Sequence, residues 1–190
     1  MVIISPQRCF ATQDIPISES SSIDKEIIMP PVFVENGYPS SLKDIILENF
    51  NKTPLQIRKL FVEEGWSIHL GIRINRKLNY SSLIKGYTDL TYKRIWIDNR
   101  DVCVGTIFHE IGHFVEFNSG NPENSDLFHN IYVNEVNVFR SIYNTNIHNT
   151  SSEVEYFAEA FQVYLQNPEL LQSYCPNTFN FIQNCVSNFE

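Results

Sequence analysis

The run H-E-I-G-H at residues 109–113 decides how the rest of the chain is interpreted. Two histidines four positions apart on a helix project from the same face, one turn apart, which suits two imidazole ligands of a zinc ion. Glu110 lies one step around the helix, where it can take a proton from a water that zinc has activated. His109 and His113 are therefore predicted zinc ligands, and Glu110 is the predicted catalytic base.

The residues around this run predict a buried helix from Asp101 to about residue 117. Gly112 lowers helix propensity by about 1 kcal/mol relative to alanine, so we expect a close backbone approach at this position. The alternative is an accidental match, in which two core histidines lie beside a surface carboxylate. The apolar context disfavours it, because most of the remaining helix surface is covered by Val102, Val104, Ile107, Phe108, Ile111 and Phe114.

A second block, E-V-E-Y-F-A-E-A-F at residues 153–161, offers the third ligand that catalytic zinc usually takes. Glu155 and Glu159 are four positions apart on an otherwise apolar and aromatic helix, where burial without a cation or a donor is costly. We predict that Glu155 coordinates zinc and that Glu159 accepts the free ring N–H of a ligand histidine. Glu153 is predicted to serve the helix cap. A solvated helix face is the alternative for all three.

The fold class predicted from the whole chain is α+β, with a small mixed sheet and a mainly helical C-terminal half that carries the zinc site. Helices are expected at residues 41–50 and from Thr53 to about residue 65, both before the first strand at residues 66–74. Residues 80–92 look like a loop, and residues 94–98 are the second predicted strand.

The helices of the C-terminal half are expected at residues 124–143, at residues 150–166 and in short pieces around Leu170 and Phe179. Thr150 to Glu153 resembles a capping box that opens the second of these helices. Residues 1–31 are expected to form an extended arm or a loosely attached segment, and residues 32–190 the single domain.

Composition excludes several classes of function. The 190 residues carry a net charge of -8 and no basic run, so nucleic acid is not an expected partner. No stretch approaches the roughly 20 apolar residues of a membrane span, and no signal peptide is visible. The four cysteines form no Cys-x-x-Cys pair and leave the disulfide state of Cys175 and Cys185 open. We expect a monomer.

These blocks, followed by C-P-N-T-F-N-F-I-Q-N at residues 175–184, resemble the zinc-protease domain of anthrax lethal factor and its smaller relatives, the secreted Pro-Pro endopeptidases. The resemblance implies a zincin-like fold, one Zn²⁺ per chain, endoproteolysis of a peptide or protein substrate, and secretion. It also implies that Glu155 is the third ligand and that Glu159 is its outer neighbour.

One position departs from the family. The family has a tyrosine seven positions before the ligand glutamate, whose hydroxyl is thought to stabilise the oxyanion, and this chain has His148 there. A histidine can donate the same hydrogen bond, so His148 is the predicted oxyanion donor. Two alternatives stay open. A shift of the loop can bring in Tyr143, or His148 can be exposed and without a role.

The predicted function is zinc-dependent hydrolysis of peptide bonds. The strand at residues 94–98 is the candidate for pairing with an extended peptide, although Trp96 also suits the core. One rival is a catalytically silent zincin fold that binds a partner or forms part of a toxin, and the presence of Glu110 argues against it. An intracellular metal-dependent regulator is a second rival, which would need an appended recognition domain. The sequence does not indicate the preferred substrate.

Overall fold

Four short strands form one mixed sheet at the N-terminal side of the fold. The computed structural model describes residues 28–71, 85–98, 102–145 and 147–189, without the side chains of Glu123 and His148. Strands β1 (Val32–Val34), β2 (Ser67–Gly71), β3 (Gly86–Asp89) and β4 (Arg94–Asp98) lie in the order β1-β2-β4-β3. The pairs β1–β2 and β2–β4 are parallel, and β3 runs antiparallel to β4.

Helices make up most of the remaining described chain, and the α+β class is confirmed. They are α1 (Ser41–Phe50), α2 (Leu55–Glu63), α3 (Val104–Asn118), α4 (Asp126–Tyr143), α5 (Glu153–Gln166), α6 (Pro168–Tyr174) and α7 (Pro176–Ser187). The 3₁₀ turns Pro122–Asn124 and Ile147–Thr150 precede α4 and α5. Among the described helices, none is long and apolar enough to cross a membrane.

The two faces of the sheet differ because side chains alternate along each strand. Ile68, Leu70, Ile95 and Ile97 point to one face and are buried in the core. On the other face, His69 stacks between Phe33 and Trp96, with ring centroids 4.9 and 4.6 Å away. Trp96 therefore belongs to a half-exposed aromatic row rather than to the core.

Helix α3 runs through the centre of the molecule. Ile107, Ile111 and Phe114 are buried along it. The Phe114 ring meets the rings of Phe61 and Trp66 edge to face, each at 5.1 Å, so α3 joins the sheet side to the helical half. Cys175 and Cys185 are both buried and unbridged.

The sheet corrects three expectations. Strand β1 precedes the two helices that were expected to come first, and β3 lies inside the stretch that was expected to be a loop. Both strands are short and gain their hydrogen bonds from neighbours, so their own sequences carry a weak signal. Strand β4 has β2 on one side and β3 on the other, so its backbone groups are already paired and it cannot add a peptide strand.

The helix boundaries follow the predictions with local corrections. Helix α5 is capped by Ser152, whose Oγ accepts from the Glu155 N–H at 3.2 Å, and not by Thr150. Thr150 is buried and accepts from the Arg140 side chain instead. Helix α3 begins at Val104, while Asp101 and residues 1–27 and 72–84 lie outside the described part of the chain. The division at residue 31 stays a prediction.

A buried carboxylate holds α7 on α4. Glu135 is 6% exposed and accepts four hydrogen bonds, from the backbone N–H and side chain of Asn177 and from the backbone N–H and hydroxyl of Thr178. The Thr178 hydroxyl in turn lies 2.7 Å from the Tyr156 hydroxyl on α5. The C-P-N-T block is therefore a helix start that is capped by an acid from another helix.

We expect Glu135→Gln to lower the free energy of unfolding by about 2 kcal/mol, because an amide places its own N–H groups against donors that need an acceptor. Chemical denaturation followed by circular dichroism measures the change. The control is Glu169→Gln, at an exposed acid of α6, which should cost less than about 0.5 kcal/mol. Equal effects of the two substitutions would contradict the capping role.

Candidate metal centre

Helices α3 and α5 bring His109, His113 and Glu155 together. One nitrogen or oxygen atom from each lies within 4.8 Å of the other two. His109 Nε2 is 3.3 Å from Glu155 Oε2, and His113 Nε2 is 3.8 Å from Glu155 Oε1. Tetrahedral ligands at about 2.0–2.2 Å from zinc lie roughly 3.4 Å from one another, so these residues fit the ion.

The ring of His109 is fixed from its other side. Its Nδ1 lies 3.1 Å from Glu159 Oε2, so a His109 N–H donated to Glu159 leaves Nε2 with its lone pair toward Glu155 and His113. The second oxygen of Glu159 accepts from the Thr145 hydroxyl at 2.8 Å. Thr145, Glu159 and His109 thus form a chain of hydrogen bonds that sets the tautomer and the angle of the imidazole.

The charges around the two histidines favour a cation at this position. Burial by itself lowers the pKa of His109, but hydrogen bonds with Glu155 and Glu159 raise it to about 10. Burial and the charge on His109 lower the pKa of His113 to about 4. Burial tends to raise the pKa of Glu155, but the hydrogen bond and the charges of the histidines hold it below its usual range. The carboxylates therefore stabilise positive charge among these side chains.

Glu110 is buried next to this cluster, against strand β3. Its carboxylate oxygen Oε2 accepts from the Thr88 hydroxyl at 2.7 Å. Burial raises the pKa of Glu110 to about 7, although the charge of His109 and the Thr88 hydrogen bond act in the opposite direction. A carboxyl group in this range can both take up and release a proton near neutral pH.

Helices α3 and α5 touch at the backbone beside these residues. A Cβ atom on Gly112 would lie 2.8 Å from Ala158 Cα and 3.0 Å from Ala158 O, so only glycine fits. The close approach expected at Gly112 is therefore present. It brings Glu155 and Glu159, one turn apart on α5, across to the histidine face of α3.

The turn that contains His148 is anchored on both sides. Thr145 donates to Glu159 before it, and Thr150, at its end, accepts from Arg140 and from the Tyr132 hydroxyl. The side chain of His148 itself lies outside the described part of the chain. Its role as oxyanion donor stays a prediction.

The structure bears on two further predictions, Tyr143 as the alternative oxyanion donor and Glu153 as the cap of α5. Tyr143, the alternative donor, packs its ring 4.5 Å from that of Phe139, and its buried hydroxyl has no hydrogen-bond partner among the described residues. Glu153 does not cap α5. Its carboxylate lies 2.7 Å from Nδ1 of the exposed His129 on α4.

Three residues near the site were not predicted: Gly86, Thr88 and Thr145. The first two lie on β3. The sequence offered one signal for this strand: only four residues separate residues 86–89 from the strand at 94–98, a spacing that is typical of a β-hairpin. Thr145 had no signal, since its partner Glu159 is reached only through the fold.

Comparison with known proteins confirms the resemblance. Residues 93–185, just under half of the chain, match the family model described as anthrax toxin lethal factor, N- and C-terminal domain. The fold is similar to the solved structure of the Pro-Pro endopeptidase from Paenibacillus alvei, with a TM-score of 0.64 and 20% identity over 80% of this chain and 96% of that one. No curated protein matches the chain significantly. The zincin-like fold is thereby confirmed.

We expect Gly112→Ala to lower the free energy of unfolding by about 1–3 kcal/mol, because the added methyl group forces α3 and α5 apart. Thermal denaturation of the metal-free protein measures it. Gly105→Ala, on the same helix, is the matched control. Its Cβ would meet only the flexible end of Gln162, at 3.1 Å, and alanine gains up to about 1 kcal/mol in helix propensity. Similar losses for both variants would contradict the packing argument.

Proposed function

We propose that the protein is a zinc-dependent endopeptidase. The observation that carries the proposal is the convergence of His109, His113 and Glu155 within 4.8 Å, with the buried carboxylate of Glu110 directly beside them. Three protein ligands with an adjacent acid form the arrangement of a hydrolytic metal site, whereas a structural zinc site is closed by four ligands.

The donor set selects the metal. Two imidazole nitrogens and one carboxylate oxygen suit Zn²⁺, while Ca²⁺ and Mg²⁺ take mainly oxygen ligands. The Glu155 side chain is 41% exposed, so the cluster opens toward solvent on that side. We therefore propose one Zn²⁺ per chain, held by His109, His113 and Glu155.

Bound zinc would polarise the carbonyl group of the peptide bond and acidify the attacking water. Glu110 accepts the proton of that water and transfers it to the nitrogen of the leaving amine. Glu159 holds the His109 ring through Nδ1, at 3.1 Å. His148 is proposed to donate a hydrogen bond to the developing oxyanion, which the anchoring of its turn supports.

We propose that an extended peptide substrate pairs with strand β3, and not with β4 as the sequence had suggested. It lies at an edge of the four-stranded sheet, and no other described strand pairs with its outer side. An extended peptide that adds to this edge would pass Glu110, because Thr88 of the same strand contacts the Glu110 side chain.

The similar solved structure is that of a Pro-Pro endopeptidase, so peptides that contain consecutive prolines are the first substrates to test. We further propose that the protein acts as a monomer.

We expect the purified protein to bind one equivalent of zinc and to cleave peptides from a diverse library, as read by mass spectrometry. Glu110→Ala should lower cleavage by at least about 100-fold, because the proton acceptor is lost, and should retain zinc. The control is Glu63→Ala, at an exposed acid of α2, which should leave both unchanged. Absence of stoichiometric zinc would overturn the proposal. Zinc without any cleavage would favour a silent zincin fold that binds a partner.

We expect Thr145→Val to weaken zinc affinity by about 10-fold, because Glu159 loses its donor and holds His109 less firmly. Competition with a chelator of known affinity measures the change. Thr145→Ser keeps the hydroxyl and should bind zinc nearly as tightly as the natural protein. If the valine variant bound zinc with unaltered affinity, the chain of hydrogen bonds would have no part in holding the metal.

A further inference from the structure

We propose that strand β3 positions the catalytic base: Thr88 holds the Glu110 carboxylate in place, and Gly86 leaves the space that this carboxylate occupies. The inference rests on the proposed function and deepens it, because it adds two residues to the site. Neither residue is a metal ligand, and both act through Glu110.

The hydroxyl of Thr88 makes a short contact with the base. The distance from Thr88 Oγ1 to Glu110 Oε2 is 2.7 Å, within the range of a strong hydrogen bond to a carboxylate. Glu110 is only 4% exposed, so water cannot readily replace this donor. A buried carboxylate without a donor is costly, and Thr88 removes part of that cost while fixing the rotation of the carboxyl group.

Gly86 meets the same carboxylate from the next position on that face of β3. A Cβ atom on Gly86 would lie 2.3 Å from Glu110 Oε1, and at 2.6 and 2.7 Å from its Cγ and Cδ. The backbone of Gly86 does not need a glycine for conformational reasons, since it is not among the glycines with positive φ. The requirement is therefore one of space, and any side chain there would displace the base.

Residues two apart on a strand share one face, so Gly86 and Thr88 approach Glu110 together. One carboxylate oxygen lies against the glycine and the other accepts from the threonine. The antiparallel pairing of Thr88 with Ile95 ties this face of β3 to β4 and hence to the rest of the sheet. The position of the base is thus set by the sheet as well as by its own helix.

A threonine hydroxyl suits a group that must gain and then lose a proton. It can donate to the charged carboxylate, and it can accept from the protonated carboxyl while turning its own proton to the Glu110 carbonyl oxygen, 3.1 Å away. A lysine or arginine here would favour the charged carboxylate alone. Thr88 is therefore able to hold Glu110 both before and after it takes the proton from the attacking water.

The first test compares Thr88→Val, Thr88→Ser and Gly86→Ala in peptide cleavage. Because a small misplacement of a catalytic group costs up to about 100-fold in rate, Thr88→Val should lower kcat by about 10–100-fold, with KM and zinc affinity nearly unchanged. Thr88→Ser should restore kcat to within a few-fold. Gly86→Ala should lower kcat although the hydroxyl is intact. Thr91→Val, in the exposed turn after β3, is the control and should have no effect.

The second test uses the metal-free protein and needs no activity. The thermal stabilities of Thr88→Val, Glu110→Ala and the double variant form a cycle, and the loss in the double variant should differ clearly from the sum of the single losses. Additive losses would overturn the inference, as would equal kcat values for the natural protein and Thr88→Val. Coupled stabilities in a protein that cleaves nothing would overturn the proposed function and leave the Thr88–Glu110 contact established.

Discussion

The structure depends on the backbone contact between α3 and α5 at Gly112 and Ala158. At this contact, two helices that are distant in sequence come close enough for side chains of one to reach side chains of the other. The side chains of the α3 histidines and the α5 glutamates are just long enough to bring imidazole nitrogens next to carboxylate oxygens. A wider spacing of the two helices would separate these atoms. Packing density at one small residue therefore sets the geometry of the whole candidate centre.

Three buried or partly buried acids are the second constraint, and each of these three has a defined donor. Glu110 accepts from Thr88, Glu159 from Thr145 and His109, and Glu135 from the first turn of α7. Three of these donors, on Thr88, Thr145 and Thr178, are threonine hydroxyl groups, which are neutral and adapt their direction. The threonine hydroxyls satisfy these carboxylates without cancelling their negative charge, which therefore remains available to a cation.

Much of the centre could be predicted from sequence, because it depends on local spacing. His109 and His113 share a face by helix geometry alone, and the same holds for Glu155 and Glu159. Residues that act across elements escaped prediction. Thr145 meets Glu159 only after α4 and α5 are packed, and strand β3 becomes a strand by pairing with β4. The helix start at Ser152 was missed because Thr150 offers a similar pattern two residues earlier, and tertiary contacts decide between them.

The aromatic row on the open face of the sheet has a consequence for folding. The register pairs Phe33 with His69, His69 with Trp96 and Trp96 with Tyr87, across all four strands. A slip of β3 by one residue that moves Tyr87 into the place of Gly86 would turn its ring toward α3, where Glu110 leaves no room even for a methyl group. This register would therefore be disfavoured on both faces of the sheet, because it breaks the aromatic row on the open face and clashes with Glu110 on the core face. In that register the Glu110 carboxylate loses its space, so the correct pairing of β3 and the position of the base are established together.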